Sequence, residues 1–203
     1  AEIIKSNIKN SSIIETVEII PPGFINFRLS NSFRSDLINQ ILIGKKNYGS
    51  NKSGKNKKVQ LEFVSVNPTG PVHVGHARGA IVGSCLANVL SYSGFDVHKE
   101  YYVNDAGNQI DLYIRSIKSK IYEKFNQSFP FPQNGYKGEN IEIISEKITK
   151  ELQITETNLT KIEDEEIRAA AIDLTLKIIK KDLIDLGIEY DNWFYESSLF
   201  TNK

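Results

Sequence analysis

The pattern of apolar and polar positions before residue 44 predicts a hairpin followed by a helix. Apolar and polar residues alternate over residues 15–20 and again over residues 24–29, with a Pro-Pro-Gly turn between the two runs. Either Ser30 or Ser32 can cap a helix whose apolar residues then recur at helical spacing, and Gly44 supplies its stop. The first part of the chain is therefore predicted to be α+β.

A change of composition follows this helix. Residues 44–58 contain glycine, serine, asparagine and six lysines, with almost nothing to bury, which is typical of a flexible linker. We therefore expect part of a small α+β N-terminal domain over residues 1–43, a linker over residues 44–58 and a second domain over residues 59–203.

The second domain begins with a pattern that predicts a strand, a helix and another strand. Residues 59–66 are typical of a buried strand, and the Asn-Pro-Thr-Gly-Pro turn that follows cannot be helical. Apolar residues then cover most of the circumference of a helix over residues 73–93, and residues 95–104 predict a second strand. Such a unit closes with its strands parallel, so we expect a doubly wound α/β core with flanking helices.

Three more helices are predicted before a short final apolar run at Trp193-Phe194. Asp105 can cap the first, and a helix over residues 164–186 is the longest, ending before Gly187. The apolar stripes of the three helices consist of Ile110, Tyr113, Ile117 and Ile121, then Ile141, Ile144, Ile148 and Leu152, then Ile167, Ala171, Leu174 and Ile178.

Composition adds little about function. Lysine plus arginine equals aspartate plus glutamate at 25 each, so the net charge does not indicate a nucleic-acid partner. No apolar run approaches the roughly 18 residues of a membrane span, and the lone Cys85 cannot form an internal disulfide, so we expect a cytoplasmic protein. The sequence contains no methionine, which leads us to expect a fragment.

The chemically informative segment covers residues 67–76, where two histidines and two glycines stand at a strand-to-helix junction. A helix N-terminus offers unpaired backbone N–H groups and a positive dipole end, which suit a phosphate. Gly70 and Gly75 would allow a nucleotide to approach the backbone, and His73 and His76 would add directed donors.

Three other interpretations compete for this segment. A phosphate-binding P-loop is excluded because no lysine and hydroxyl residue follow the glycines at the required offset. A zinc site lacks a cysteine or carboxylate at ligand spacing. Ordinary capping and packing roles would be favoured for either histidine alone, but less so for the two together in this turn.

The tetrad His73-Val74-Gly75-His76 resembles the HIGH motif of class I aminoacyl-tRNA synthetases. Residues 64–79 and 100–109 resemble the bacterial arginyl branch of that family, and Pro21–Phe27 and Asp191–Leu199 match it in addition. The resemblance spans nearly the whole chain. It implies a Rossmann-like class I catalytic core, of which this chain would be the front half, preceded by part of the N-terminal tRNA-binding domain.

The resemblance also implies roles for individual residues. His73 and His76 would contact ATP and stabilise the transition state as the arginine carboxylate attacks the α-phosphorus, and Gly75 and Pro71 would border the bound nucleotide. Mg²⁺ is expected with the ATP, and no protein metal site is expected. The residues implied to hold L-arginine are Asn67, Glu62, Glu196 and Asn104.

Purely structural roles are alternatives for several of these residues. Asn67 before a proline is also an ordinary turn residue, and Asp105 is at least as suited to helix capping as to substrate contact. Tyr101, Tyr102 and Asn108 also fall near the end of the second strand, where ligands gather in open α/β sheets. A solvated tether explains the linker lysines more simply than contact with tRNA phosphates.

The family pattern further contains a lysine-bearing KMSKS-like loop and an anticodon-binding domain that this sequence lacks. We therefore expect a monomeric arginine–tRNA ligase fragment, acting on L-arginine and tRNA(Arg), with little or no aminoacylation activity alone. The alternatives are a HIGH-motif nucleotidyltransferase, which would not depend on arginine, and a non-catalytic module that binds tRNA or protein.

Overall fold

The computed structural model describes residues 1–9 and 11–201, which form two compact units over residues 1–51 and 52–203. The division between the units falls inside the segment predicted to be a linker. Asn10, Asn202 and Lys203, which belong to the domains expected from sequence, lie outside the described residues.

The first unit contains a hairpin between two helices. Its elements are α1 (Glu2–Asn7), β1 (Ile14–Ile20), β2 (Phe24–Leu29), α2 (Asn31–Gly44) and a 3-10 turn (Lys45–Asn47). β1 pairs with β2 antiparallel, so the predicted hairpin is confirmed. Of the two serines considered as a cap, Ser30 begins α2, because its Oγ accepts a hydrogen bond from the Phe33 amide at 3.2 Å.

The second unit is built on a three-stranded parallel sheet in the order β3-β4-β5. Its elements are β3 (Lys58–Glu62), α3 (Val74–Tyr92), β4 (Asp96–Val103), α4 (Asn108–Lys124), α5 (Glu139–Glu151), a 3-10 turn (Leu159–Lys161), α6 (Asp164–Asp185), β5 (Asn192–Tyr195) and α7 (Ser198–Thr201). The predicted parallel α/β architecture is confirmed. Glu62 lies opposite Glu100, and Val103 lies opposite Tyr195, so the carboxyl ends of the strands meet at one edge.

The core lies between the sheet and helices α4, α5 and α6. Tyr101 and Val103, two residues apart on β4, share the face that packs into it. The predicted apolar stripes of α4 and α5 are buried apart from Leu152, which is half-buried. The apolar stripe predicted for α6 is only partly correct. Leu174 and Ile178 are half-buried, whereas Thr175 and Ile179 are buried in the core.

Two element boundaries differ from the sequence prediction by more than one residue. β3 ends at Glu62 rather than at residue 66, because Val64 and Ser65 adopt positive φ angles of 68° and 42° that no strand contains. Asp105 does not cap α4, which begins at Asn108 behind Gly107 without a side-chain cap. The Asp105 carboxylate instead binds Ser197.

α3 packs against the sheet through only part of its apolar surface. Its small residues lie closest to the neighbouring chain, and a Cβ added at Gly83 would lie 2.3 Å from the Phe63 ring. Ala80 and Ala87 on the same side are buried, whereas Ile81 and Val89 are 54% and 62% exposed. The helix therefore approaches the sheet mainly through small side chains and leaves most of its large ones exposed, although Leu90 is half-buried.

The segment predicted to bury almost nothing contributes one buried residue. Gly54 is buried, its amide donates to the Ser93 carbonyl at 2.9 Å, and an added Cβ would overlap the Phe95 ring. Within residues 1–9 and 11–201, no helix has both the length and the apolar composition needed to cross a membrane.

Replacing Ile179 by alanine should lower the free energy of unfolding by about 2–5 kcal/mol, because it would leave a cavity in the core. The measurement is urea unfolding followed by the fluorescence of Trp193, the single tryptophan of the sequence. Ile184→Ala on the same helix is the control. Its side chain is 60% exposed, so its effect should stay below about 0.5 kcal/mol, and equal losses would contradict the placement of the core.

Candidate functional site

His73 and His76 cap the N-terminus of α3 reciprocally. The Nδ1 atom of His73 accepts a hydrogen bond from the Gly75 amide at 3.1 Å, and the Nδ1 atom of His76 accepts one from the His73 amide at 3.4 Å. The two rings stack with their centroids 3.5 Å apart and an interplanar angle of 25°. His73 is exposed and His76 is half-buried, so neither ring is enclosed in the core.

This cap fixes the tautomer of both histidines. A neutral imidazole carries its proton on one nitrogen and accepts through the other. Because both Nδ1 atoms accept backbone hydrogen bonds, the proton of each neutral ring resides on Nε2. The pair can therefore present two Nε2–H donors side by side.

The backbone amides of the first helical turn are largely engaged within the turn. The Gly75 amide binds His73 Nδ1, and the His76 amide donates to the His73 carbonyl at 2.8 Å. The first turn therefore leaves few unpaired backbone donors for a phosphate, in contrast to the sequence expectation. Gly70 leaves open space, since a Cβ added there would contact nothing within 4 Å.

The charge state of the pair follows from its environment. Desolvation and the neighbouring His73 ring lower the pKa of His76 from its ordinary value of 6.5. His76 is therefore neutral at physiological pH and keeps both its accepting Nδ1 and its donating Nε2.

A second group of polar side chains gathers at the carboxyl edge of the sheet. Asn67 donates to the Gln109 side chain at the start of α4. With its amide nitrogen turned towards the acceptors, Asn104 donates to the Ala106 carbonyl at 3.0 Å and to the Glu196 carboxylate. The amide groups of Asn104 and Asn67 approach within 3.2 Å. The family resemblance implies four residues that bind L-arginine. Three of them, Asn67, Asn104 and Glu196, thus lie together.

The electrostatics of this group are negative. Desolvation raises the pKa of the Tyr102 hydroxyl, and the charges of Glu196, Asp105 and Glu62 raise it further. The Glu196 carboxylate also raises the Tyr102 pKa as an acceptor for the hydroxyl proton. Glu62, the last residue of β3, is exposed and contributes its charge to this edge of the sheet. A cation would be favoured here.

The turn that carries Glu196 is held by Asp105. Its two carboxylate oxygens accept hydrogen bonds from the Ser197 amide at 2.9 Å and the Ser197 hydroxyl at 2.6 Å, while the Glu196 amide donates to the Val103 carbonyl at 2.9 Å. Sequence reasoning considered capping or substrate contact for Asp105 and missed this role. The role of Gln109 was missed as well, although it stands in the segment that carries the family resemblance.

Pro71 is half-buried in the turn that precedes the histidine pair. Across the part of the chain that the structure describes, no cluster of three or more histidine, cysteine, aspartate or glutamate side chains could hold a metal ion.

The parallel sheet with helices between its strands, and the polar groups at its carboxyl edge, place the second unit in the Rossmann-like α/β class. The family model for the catalytic domain of class I (R) tRNA synthetases matches residues 37–182, and the model for the arginyl tRNA synthetase N terminal domain matches residues 1–29. The chain therefore belongs to the arginyl branch of the class I tRNA synthetase family.

Individual relatives agree with this assignment. The arginine–tRNA ligase of Listeria monocytogenes is 40% identical over 193 residues, which cover 95% of this chain and 35% of the relative. A solved structure of an arginyl-tRNA synthetase from Campylobacter jejuni superposes with a TM-score of 0.72 at 34% identity, covering 85% of this chain and 38% of that one. The Thermus thermophilus arginyl-tRNA synthetase, at 18% identity and a TM-score of 0.61, shares the fold over 98% of this chain and 32% of its own. The chain thus spans about a third of the length of these proteins.

Gly75→Ala should displace the His73 ring, because the added Cβ would lie 3.0 Å from its Cε1 and 3.1 Å from its Nδ1. We expect this variant to be about 1 kcal/mol less stable than Gly79→Ala, a typical value for a lost helix cap. Gly79 lies on the same helix, and its added Cβ would meet nothing within 4 Å. Urea unfolding and the imidazole resonances of His73 measure the effect, and equal stabilities of the two variants would contradict it.

The lowered pKa of His76 predicts a pH dependence of stability. Below about pH 6.5 the unfolded chain takes up a proton at this residue while the folded chain resists it, so the free energy of unfolding falls as pH decreases. His76→Gln retains an accepting group at the third helical position and removes the titration. The stability of wild type relative to this variant should decline between about pH 7.5 and pH 5.5. A constant difference in urea unfolding would refute the assignment.

Proposed function

We propose that this chain forms the ATP- and arginine-binding portion of an arginine–tRNA ligase, which activates L-arginine as arginyl-adenylate and transfers it to tRNA(Arg). The main support is the reciprocal histidine cap at the start of α3, within a chain that belongs to the arginyl synthetase family. Class I synthetases use ATP to activate their amino acid, and the paired Nε2–H groups are suited to its phosphates.

The triphosphate would lie against the paired imidazoles, with Gly75 and Pro71 bordering the nucleotide. The arginine carboxylate oxygen would form a bond to the α-phosphorus as the bond to the β,γ-pyrophosphate breaks. Negative charge grows on the α-phosphate oxygens during this step, and fixed donors stabilise it more strongly than they stabilise the ground state. Loss of one such donor typically lowers the rate about 10²- to 10³-fold.

L-Arginine would occupy the carboxyl edge of the sheet. A guanidinium group has five N–H donors and no acceptor, so it needs carboxylates and carbonyl oxygens around it. Glu196 and Glu62 would supply negative charge, and Asn67 and Asn104 would supply amide groups that orient the substrate. The negative environment of Tyr102 supports a cationic substrate at this edge.

Mg²⁺ would arrive with the nucleotide. The described side chains include no cluster of three or more potential metal ligands, so the phosphate oxygens and water would provide most of its coordination.

We propose transfer to tRNA(Arg) only for a protein of the same length as the relatives, of which this chain spans about a third. Since the chain covers 35% of the Listeria relative, we expect little or no arginine-dependent ATP–pyrophosphate exchange from residues 1–203 alone. Residues 1–29 would contribute to tRNA contact, because they match the N-terminal domain model of the family. Monomeric state and cytoplasmic location stay predictions.

Removing either imidazole should weaken ATP binding to the chain. His73→Ala and His76→Ala should each raise the dissociation constant for ATP about tenfold, the value of one hydrogen bond to a charged group. Isothermal titration calorimetry gives the constants. His98→Ala removes the third histidine of the chain, which is exposed on β4, and should leave ATP affinity unchanged. Equal affinities for all three variants would remove the basis of the proposal.

The same titrations separate the competing functions. A fragment of an arginine–tRNA ligase should bind L-arginine and discriminate against L-citrulline, which has nearly the same shape and no positive charge. A nucleotidyltransferase with a similar histidine motif would bind ATP without this preference. A non-catalytic module would bind neither ATP nor L-arginine through these residues.

A further inference from the structure

The segment between β3 and the Asn67 turn has an unfavourable backbone conformation. Val64 and Ser65 have φ angles of 68° and 42°, in the left-handed region that residues other than glycine rarely occupy. For a β-branched valine this conformation is a genuine outlier. Such residues persist only where surrounding contacts hold them, and they concentrate at functional sites.

Three side chains hold this segment against the sheet. The Tyr190 hydroxyl donates to the Phe63 carbonyl at 2.9 Å, and the Ser65 hydroxyl accepts a hydrogen bond from the Tyr102 amide at 3.0 Å. The Tyr101 hydroxyl makes two bonds to one residue, since it donates to the Val66 carbonyl at 2.9 Å and accepts from the Val66 amide at 3.1 Å. Val66 thus has both backbone groups satisfied by one side chain, as a neighbouring strand would otherwise do.

Tyr101 is itself rigidly placed. It is fully buried, its ring stacks on Trp193 with centroids 4.2 Å apart, and it meets the Tyr190 ring edge-on at 5.4 Å. Burial raises the pKa of its hydroxyl, which therefore stays protonated and able to donate. The position of Val66 is consequently set by the aromatic core and not by a strand ladder.

Val66 directly precedes Asn67, whose side chain binds Gln109 and approaches Asn104. We propose that Tyr101 is a positioning residue for L-arginine, which holds Val66 so that the Asn67 amide meets the substrate, without touching the substrate itself. This inference rests on the proposed function of the same site. According to this inference, the buried Tyr101 hydroxyl determines where the Asn67 amide lies in the site.

A matched tyrosine separates positioning from general stabilisation. Tyr113 is equally buried, its hydroxyl bonds the Thr175 side chain at 2.8 Å, and its ring meets Tyr136 edge-on. Tyr101→Phe and Tyr113→Phe therefore each remove one buried hydroxyl. Only the first frees the backbone that leads to Asn67.

The test compares both variants with wild type in three measurements on the whole chain, namely unfolding in urea, L-arginine affinity by calorimetry, and NMR of the Asn67 side-chain amide and the Val66 backbone amide. We expect both variants to lose stability. Only Tyr101→Phe should raise the dissociation constant for L-arginine about tenfold, shift the Asn67 amide resonance and speed hydrogen exchange at Val66 at least about tenfold. If Tyr101→Phe matches Tyr113→Phe in affinity and in the Asn67 resonance, the positioning role is refuted.

Failure of the proposed function is distinguishable from failure of this inference. If wild type does not bind L-arginine, the proposed substrate is wrong, and the Asn67 resonance and Val66 exchange alone decide whether Tyr101 holds the segment. Should Tyr101→Phe not fold, hydrogen exchange of the Val66 amide in wild type carries the test. An amide held by the buried Tyr101 hydroxyl should exchange at least about tenfold more slowly than an unbonded loop amide, and unprotected exchange at Val66 would refute the inference.

Discussion

The parallel pairing of three strands is the constraint on which the candidate site depends. Because β3, β4 and β5 run in the same direction, the residues that follow them emerge at one edge, although they lie far apart in sequence. Asn104 and Glu196 meet there for this reason, and Glu62, the last residue of β3, adds its charge to the same edge. An antiparallel arrangement of any strand would send one of these side chains to the opposite edge.

The route from β3 into α3 adds the second constraint. The chain leaves the sheet through positive φ angles at Val64 and Ser65, and then starts the helix with a reciprocal histidine cap. The cap has an unusual consequence for anion binding. It uses backbone donors of the first turn to hold the histidine rings, and it leaves the two Nε2–H groups as the donors available to an anion.

Much of this architecture could be predicted from the sequence. The strand-helix-strand unit, the hairpin and the stripes of α4 and α5 follow from short-range periodicity, which depends on which residues face the core. The end of β3 could not be predicted in this way, because alternation continues through Val66 while hydrogen bonds from Tyr101 and Tyr102, more than thirty residues later, impose another backbone. The exposed side of α3 could not be predicted for a related reason, because an apolar sequence does not show which face of a helix another element covers.

The sequence singled out candidate site residues without showing their arrangement. The histidine motif indicated His73 and His76, but it did not show that each ring accepts a backbone hydrogen bond, which decides the tautomer. Asp105 illustrates the same limit. Its position before a helix indicated a cap, whereas its carboxylate binds a serine brought close only by the pairing of β4 with β5.

A crystal structure of the chain with ATP bound would show whether the paired imidazoles hold the triphosphate. We expect phosphate oxygens within hydrogen-bonding distance, about 2.7–3.2 Å, of Nε2 of His73 and His76. A triphosphate bound away from the start of α3, with both imidazoles facing solvent or protein, would contradict this expectation.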